Sequence, residues 1–220
     1  MLTLFISGSD TGIGKTRVAA ALGRAMARAG RTVQFIKPVQ CGVAPGEPTD
    51  ADEAAHLAGL PAQCAYTLLR YRAALAPVSA AAAEGAQFKI ADLAPQLSRI
   101  PQCDLRLVEG VGGLAVPLTP DGLDRADFPI IIGTNAAILV VADRLGAINQ
   151  ARLVHNYFSQ KNPKNLPCGI FLNALTPPPP DVAASNRDTL AACGIPLWGE
   201  LAADSLEPIL QPPLAKLLGI

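Results

Sequence analysis

Leu2-Thr3-Leu4-Phe5-Ile6-Ser7-Gly8-Ser9-Asp10-Thr11-Gly12-Ile13-Gly14-Lys15-Thr16 is the stretch that decides how this chain is read. An apolar run of strand length, 2–6, ends in a glycine-rich turn, and Lys15 and Thr16 then open an alanine-rich helical pattern. Strand, glycine loop and helix in that order make a phosphate-binding loop. Gly8, Gly12 and Gly14 let the backbone curl with its N–H groups facing inward. The helix N-terminus adds a partial positive charge, Lys15 a full one, and the Thr16 hydroxyl a ligand for Mg²⁺. The pattern G-x-x-x-x-G-K-[ST] is missed by one position: residue 9 is Ser and the first glycine is Gly8, so the loop has one extra residue between its glycines. The stretch is read as a nucleoside triphosphate site.

Working outward, further apolar runs of strand length lie at 33–36, 105–108, 137–141 and 168–172, separated by helical patterns. Near-continuous hydrophobic strands alternating with helices predict an α/β fold, a mostly parallel sheet with helices on both faces, of the P-loop NTPase type. Residues 1–220 are read as a single such domain. In these sheets the chemistry gathers at the carboxyl ends of the strands, so the residues just after each run carry the most information. The loop helix is expected to span 15–29 and stop at Gly30. The second strand is expected to end at Lys37-Pro38, which puts Lys37 at a strand tip as a second cation near the γ-phosphate. Loss of Lys37 is therefore expected to abolish turnover with little effect on folding. Thr49-Asp50-Ala51-Asp52-Glu53 starts a short helix to Gly59, with Thr49 or Asp50 as N-cap. The acids there either complement the helix dipole or supply a Mg²⁺ ligand.

Residues 60–104 are the least legible: alanine-rich segments at 73–86 and 90–99 read as partly helical, limited by Pro77 and Pro95. The third run ends in Glu109-Gly110-Val111-Gly112-Gly113, an acid at a strand tip where carboxylates hold Mg²⁺. Asp143 to Gln150 leads from the fourth long strand into a helix, whose N-terminus suits a carboxylate. The fifth run ends at Asn173, whose amide offers donor and acceptor to a base edge or serves a turn. The four prolines at 177–180 read as a stiff surface link.

Composition narrows the function. Half of the 220 residues are hydrophobic and 16% charged, which calls for a folded globule. Eighteen Lys and Arg balance eighteen Asp and Glu with no basic block, giving no electrostatic basis for nucleic-acid or anionic-membrane binding. Five scattered cysteines without a C-x-x-C pair suit a reducing cytosol better than a disulfide framework or a zinc site. No apolar run reaches the ~18 residues of a membrane span, and no secretory signal pattern opens the chain. The expectation is a soluble cytoplasmic protein.

Four segments, 8–16, 37–42 (Lys-Pro-Val-Gln-Cys-Gly), 109–118 (Glu-Gly-Val-Gly-Gly-Leu-Ala-Val-Pro-Leu) and 144–149 (Arg-Leu-Gly-Ala-Ile-Asn), together resemble the dethiobiotin synthetases, in the family's order and with its longer loop. Asn173 and Gly199-Glu200-Leu201 add to the likeness. The resemblance implies ATP- and Mg²⁺-dependent carboxylation and ring closure of 7,8-diaminononanoate with CO₂. The substrates are then small molecules, with neither nucleic acid nor membrane as partner. It implies that Lys15 and Lys37 flank the transferring phosphate and the carbamate, that Thr11 donates from the loop, and that Thr16, Asp50 and Glu109 hold the metal, Asp50 fitting better than Asp52. ATP is expected along Gly12, Ile13, Gly14, Lys15, Thr16 and Arg17, beside Asp50 and Glu109, with Gly110, Val111 and Gly112 close to both substrates. Asn173, Ala174, Ala202, Ala203 and Asp204 are expected at the adenine. The diamine is expected at Lys37 and Cys41, its far carboxylate at Gly146, Ala147 and Asn149 of the other subunit of a homodimer. Cys41 stands where the family usually has Ser or Thr, Gly12 where some members have Glu, and Ala202 where Pro is common. The competing readings are a nucleotide-switch ATPase of the partition or septum-positioning type and an amide-forming ligase of cobalamin synthesis. Against the first, Ser9 and Asp10 stand where a switch carries an additional Lys; the second needs a further glutaminase domain.

Overall fold

A computed structural model of the chain describes residues 1–87, 89–119, 122–124, 126–162 and 164–220, with Asp92 by its backbone alone. Eight strands form one sheet: β1 (Leu2–Gly8), β2 (Val33–Cys41), β3 (Ala65–Tyr71), β4 (Leu105–Glu109), β5 (Ala136–Ala142), β6 (Cys168–Asn173), β7 (Leu197–Leu201) and β8 (Ile209–Leu210). Their order is β3-β2-β4-β1-β5-β6-β7-β8. All neighbours pair in parallel except β7 with β8. From central β1 the chain moves out to β2 and the edge strand β3. It then returns to place β4 between β2 and β1, and crosses to β5 on the other side of β1. The strand order thus reverses at β1, where parallel α/β sheets open a crevice at their carboxyl ends.

Side-chain alternation along each strand builds two cores. Leu4 and Ile6 of β1 and Ile138 and Val140 of β5 face the layer of α1 (Lys15–Arg28), α2 (Asp50–Ala58) and the helix Pro212–Leu218. Phe5, Leu139 and Val141 face the layer that includes α3 (Pro77–Ala83), α4 (Leu93–Ser98), α5 (Phe128–Ile131) and α6 (Ala147–Gln160). Burial on both faces explains why the five runs are mostly apolar; the polar Gln34 and Arg106 within them are buried and bonded to each other. Pro180 opens α7 (Pro180–Ala192), so the tetraproline is in part the first turn of a helix, where a missing N–H costs nothing. Pro77 occupies the same position in α3. Among the described residues, no helix is long and apolar enough to cross a membrane.

β2 differs most from expectation. It continues through Pro38 to Cys41 instead of ending at Lys37-Pro38. Its register with β4 stops at Ile36↔Val108, whereas pairing with β3 runs on to Cys41↔Tyr71. Past Ile36 the strand is locally an edge, which tolerates a residue without an N–H. The parting of β2 from β4 leaves Lys37 inside the crevice rather than at a tip.

Candidate active site

The crevice is built around the loop between β1 and α1. Gly8 ends β1 against β5: a Cβ there would lie 2.3 Å from the Val140 carbonyl oxygen. Ser9 N–H donates to that same carbonyl (3.0 Å), anchoring the loop's first turn. Gly14 precedes α1 with φ 80°, a left-handed conformation that disfavours a side chain, and a Cβ there would sit 2.2 Å from Asn173 Nδ2. Lys15 curls back so that Nζ donates to the Asp10 carbonyl at 2.7 Å. Asp10 also accepts the Thr11 N–H at Oδ1 (2.7 Å). Asp10 is not among the expected site residues, although its place in the loop is an available signal.

Lys37 is the centre of charge. It is 2% exposed, and its ammonium reaches Asp50 Oδ2 at 2.5 Å, Glu109 Oε1 at 2.8 Å and the Gly110 carbonyl at 3.2 Å. Thr16 Oγ1 donates to Glu109 Oε1 at 3.2 Å. The three residues expected to hold a metal therefore converge on one spot, with Lys37 between the acids. Burial opposes the Lys37 charge, but Glu109 and Asp50 outweigh it and raise its pKa above the ordinary lysine value. Burial also pushes Asp50 up, yet Lys37 wins and holds it below the usual carboxylate range. For Glu109 burial dominates: despite Lys37, and with Asp50 adding to it, the carboxyl is pushed up. A hydroxyl and two carboxylates arranged around a cation form an all-oxygen donor set suited to Mg²⁺. Among the described residues no group of three or more His, Cys, Asp or Glu forms a metal cage. A metal here would thus need phosphate or water oxygens as well.

Asp50 and Asp52, left open by sequence, have different partners. Asp52 accepts the Thr49 N–H (2.8 Å) and hydroxyl (2.7 Å), capping α2. Asp50 faces Lys37, its own N–H held by Gln40 Oε1 at 3.1 Å. Gln40 is thus a positioning residue, a role that its residue type within 37–42 does not announce. A cavity of about 300 Å³ collects Thr11, Gly12, Gly14, Lys15, Thr16, Lys37, Gln40, Cys41, Asp50, Glu109, Val111 and Gly112. A larger hollow of about 550 Å³ lies elsewhere, along Val78, Ile90, Leu123 and Ile131, and takes in none of the sequence-derived residues.

Known proteins share both the sequence pattern and the sheet. A family profile described as an AAA domain matches residues 2–206. The ATP-dependent dethiobiotin synthetase of Mycobacterium tuberculosis is 38% identical over 196 residues, spanning 87% of this chain and 83% of that protein. The chain belongs to the ATP-dependent dethiobiotin synthetase family. The family's member from Mycobacteroides abscessus is 35% identical over 226 residues, covering 100% of this chain and 94% of its own. That from Anaeromyxobacter dehalogenans is 39% identical over 184 residues, covering 80% and 78%. Among solved structures, the signal recognition particle 54 kDa protein of Aeropyrum pernix aligns at TM-score 0.59 and 17% identity, over 99% of this chain and 46% of that one. The MinC:MinD complex of Aquifex aeolicus aligns at 0.51 and 16%, over 99% and 85%. At those identities the likeness is one of fold.

The remaining dethiobiotin synthetase positions fall into two further groups. Asn173 is wholly buried; its Nδ2 donates to the Ile13 carbonyl (2.8 Å) and its Oδ1 accepts from Arg17 Nη1 (2.8 Å), so both ends of its amide have protein partners. Arg17 Nη1 also donates to the Ala174 carbonyl at 3.0 Å. Its Nη2 donates to the carbonyls of Ala202, Ala203 (2.5 Å) and Ser205 (2.6 Å). Burial lowers the Arg17 pKa from its ordinary value, with nearby Asp204 opposing. Ala174, Ala202, Ala203 and Asp204 line a separate cavity of about 460 Å³. Gly146, Ala147 and Asn149 lie at the start of α6 and do not line the phosphate cavity of their own chain. Next to Asn149 in sequence, Gln150 Oε1 accepts from Ser9 Oγ of the loop at 3.3 Å.

Proposed function

We propose that this chain makes dethiobiotin from 7,8-diaminononanoate, CO₂ and ATP, and that Mg²⁺ is required. The reading stands on one observation: Lys37, Asp50, Glu109 and Thr16 meet beside the Lys15 loop on a single cavity. One amine nitrogen of the diamine forms a C–N bond to CO₂ and loses a proton, giving a carbamate. A carbamate oxygen then attacks the γ-phosphorus of ATP, and ADP leaves. The second amine attacks the carbamoyl carbon; phosphate departs with the C–O bond electrons, a proton is lost, and the cyclic urea closes.

Such phosphoryl transfer asks a protein for positioning and charge neutralisation more than for covalent chemistry. Lys15 and the N–H groups of Gly12, Ile13 and Gly14 hold the phosphates, and Thr11 donates from the loop. Lys37, between the two acids, supplies positive charge where the carbamate and γ-phosphate meet. Thr16, Asp50 and Glu109 would hold Mg²⁺, which when bound neutralises charge on the phosphates. Cys41 and Lys37 face the diamine, Cys41 with a weaker hydrogen-bonding group than a hydroxyl. The substrate's carboxylate reaches Gly146, Ala147 and Asn149 of a second copy in a homodimer. The test is mass spectrometry of a reaction with diamine, ¹³C-bicarbonate and Mg-ATP. Labelled dethiobiotin with matching ADP and phosphate is expected. ADP release without incorporation of label would refute the reading, as would ATPase activity that needs no diamine.

A further inference from the structure

Arg17 is the third residue of α1, and its guanidinium is directed away from the phosphate cavity into the seam between the ends of β6 and β7. It is surrounded there by five neutral oxygens: Asn173 Oδ1 and the carbonyls of Ala174, Ala202, Ala203 and Ser205. Two features set this apart from an ordinary surface tie. The acceptors are those on which the proposed base site depends, namely the Asn173 amide and the turn after Leu201. In addition, the four N–H groups of the two Nη atoms face five acceptors, so they are saturated and hold no donor in reserve for a nucleobase. A base that takes the Asn173 amide oxygen or the carbonyls of Ala202 and Ala203 as partners has to compete with the guanidinium for them.

We propose that Arg17 is a gate on the base site, competing with the nucleobase for Asn173 and for the carbonyls of Ala202 and Ala203. The inference rests on the reading of that seam as the base site. Charge-assisted bonds to the guanidinium are stronger than those a neutral exocyclic amine makes to the same carbonyls. Base contacts consequently contribute little to net affinity, and the triphosphate dominates binding. The protein then distinguishes ATP from other triphosphates weakly, and removing the side chain increases the discrimination. A residue that only tied the β7–β8 turn to α1 would have the opposite signature, since freeing the turn would weaken ATP binding.

The test is calorimetric titration of the whole protein with Mg²⁺ and, separately, ATP, CTP and inorganic tripolyphosphate. For the wild type, the three dissociation constants are expected within about fivefold of one another. For Arg17→Ala, ATP is expected to tighten by about tenfold or more while tripolyphosphate stays where it was. Arg17→Gln, which keeps an amide donor without the charge, should fall between them, and it decides the question if Arg17→Ala no longer binds tripolyphosphate. An ATP-to-tripolyphosphate ratio that is the same in wild type and variants overturns the gate, as does a wild type that already prefers ATP by about a hundredfold. Failure of the wild type to bind tripolyphosphate would instead overturn the phosphate-cradle reading on which the gate depends.

Discussion

Lys37→Ala is the change whose consequences the geometry makes most definite. At a strand tip, the residue would affect turnover and leave folding alone. Lys37 is instead buried, and its removal leaves Glu109, 5% exposed, without its counter-cation. Breaking a buried ion pair from one side costs about 3–5 kcal/mol. Two facts place this case near the lower end. The Asp50 side chain is 31% exposed and keeps water, and Glu109 escapes its unpaired charge by taking up a proton, since burial already pushes its pKa up. The expected loss is about 3 kcal/mol at pH 7, which for a chain of this size lowers Tm by about 6–12 °C. Urea unfolding followed by fluorescence of the single tryptophan, buried Trp198, measures it.

The pH dependence has a definite sign. The raised Lys37 pKa stabilises the wild type fully below the ordinary lysine value, and that contribution is lost as pH rises through the folded-state value. The depressed Asp50 pKa stabilises above its unfolded value and is lost as pH falls through the folded one. The variant lacks both contributions. Its Glu109, with Lys15 but no longer Lys37 to oppose burial, favours folding when protonated, below the unfolded value, and loses that contribution as pH rises. The variant's deficit is accordingly largest near neutrality and shrinks on acidification. Turnover falls by at least about a hundredfold, as for loss of one preorganised transition-state donor. A deficit under about 0.5 kcal/mol at pH 7, or one that grows as pH falls, would refute the reasoning.

Asp52→Ala removes the cap of α2 and should cost about 1 kcal/mol, or about 2–4 °C of melting temperature, with turnover retained. Asp50→Asn should do the reverse, losing turnover; equal losses of rate in the two variants would put Asp52 in the active site after all. Gly14→Ala places a Cβ 2.2 Å from Asn173 Nδ2 at a φ of 80°. Strain of about 1–2 kcal/mol and displacement of the amide from the Ile13 carbonyl should weaken ATP binding by about tenfold or more. An unchanged dissociation constant by titration would show that the Asn173 contact does not shape the loop.

Sequence carried the central strands and the phosphate loop because both are local: β1, β4, β5 and β6 are predominantly apolar runs, and the loop is contiguous. It failed where one neighbour decides the structure. β3 (Ala-Tyr-Thr-Leu-Leu-Arg-Tyr) is a half-buried edge strand without strong alternation. β7 carries Gly199, needed because a Cβ would meet the Phe171 ring at 2.5 Å, a demand visible only once β6 lies beside it. Pro38 reads as a strand end because nothing in sequence shows that β4 has already parted from β2. At the site, residue types announced Lys15, Lys37 and Glu109. The division of labour between Asp50 and Asp52 depends on which face of the first turn of α2 meets Lys37. Arg17 reads as an ATP contact next to Thr16, and its ties to the carbonyls of residues 202, 203 and 205 emerge only once that turn is folded onto it.

The register of β1 has a consequence for how the protein is made. Its sheet partners begin at Leu105 on one side and Ala136 on the other. A nascent chain shorter than about a hundred residues holds this apolar strand and its attached loop with no partner of either hand. At ribosomal rates of about 5–20 residues per second, that strand waits for several seconds at least. During that interval it is exposed to misassociation, and chaperones have their longest opportunity to bind it.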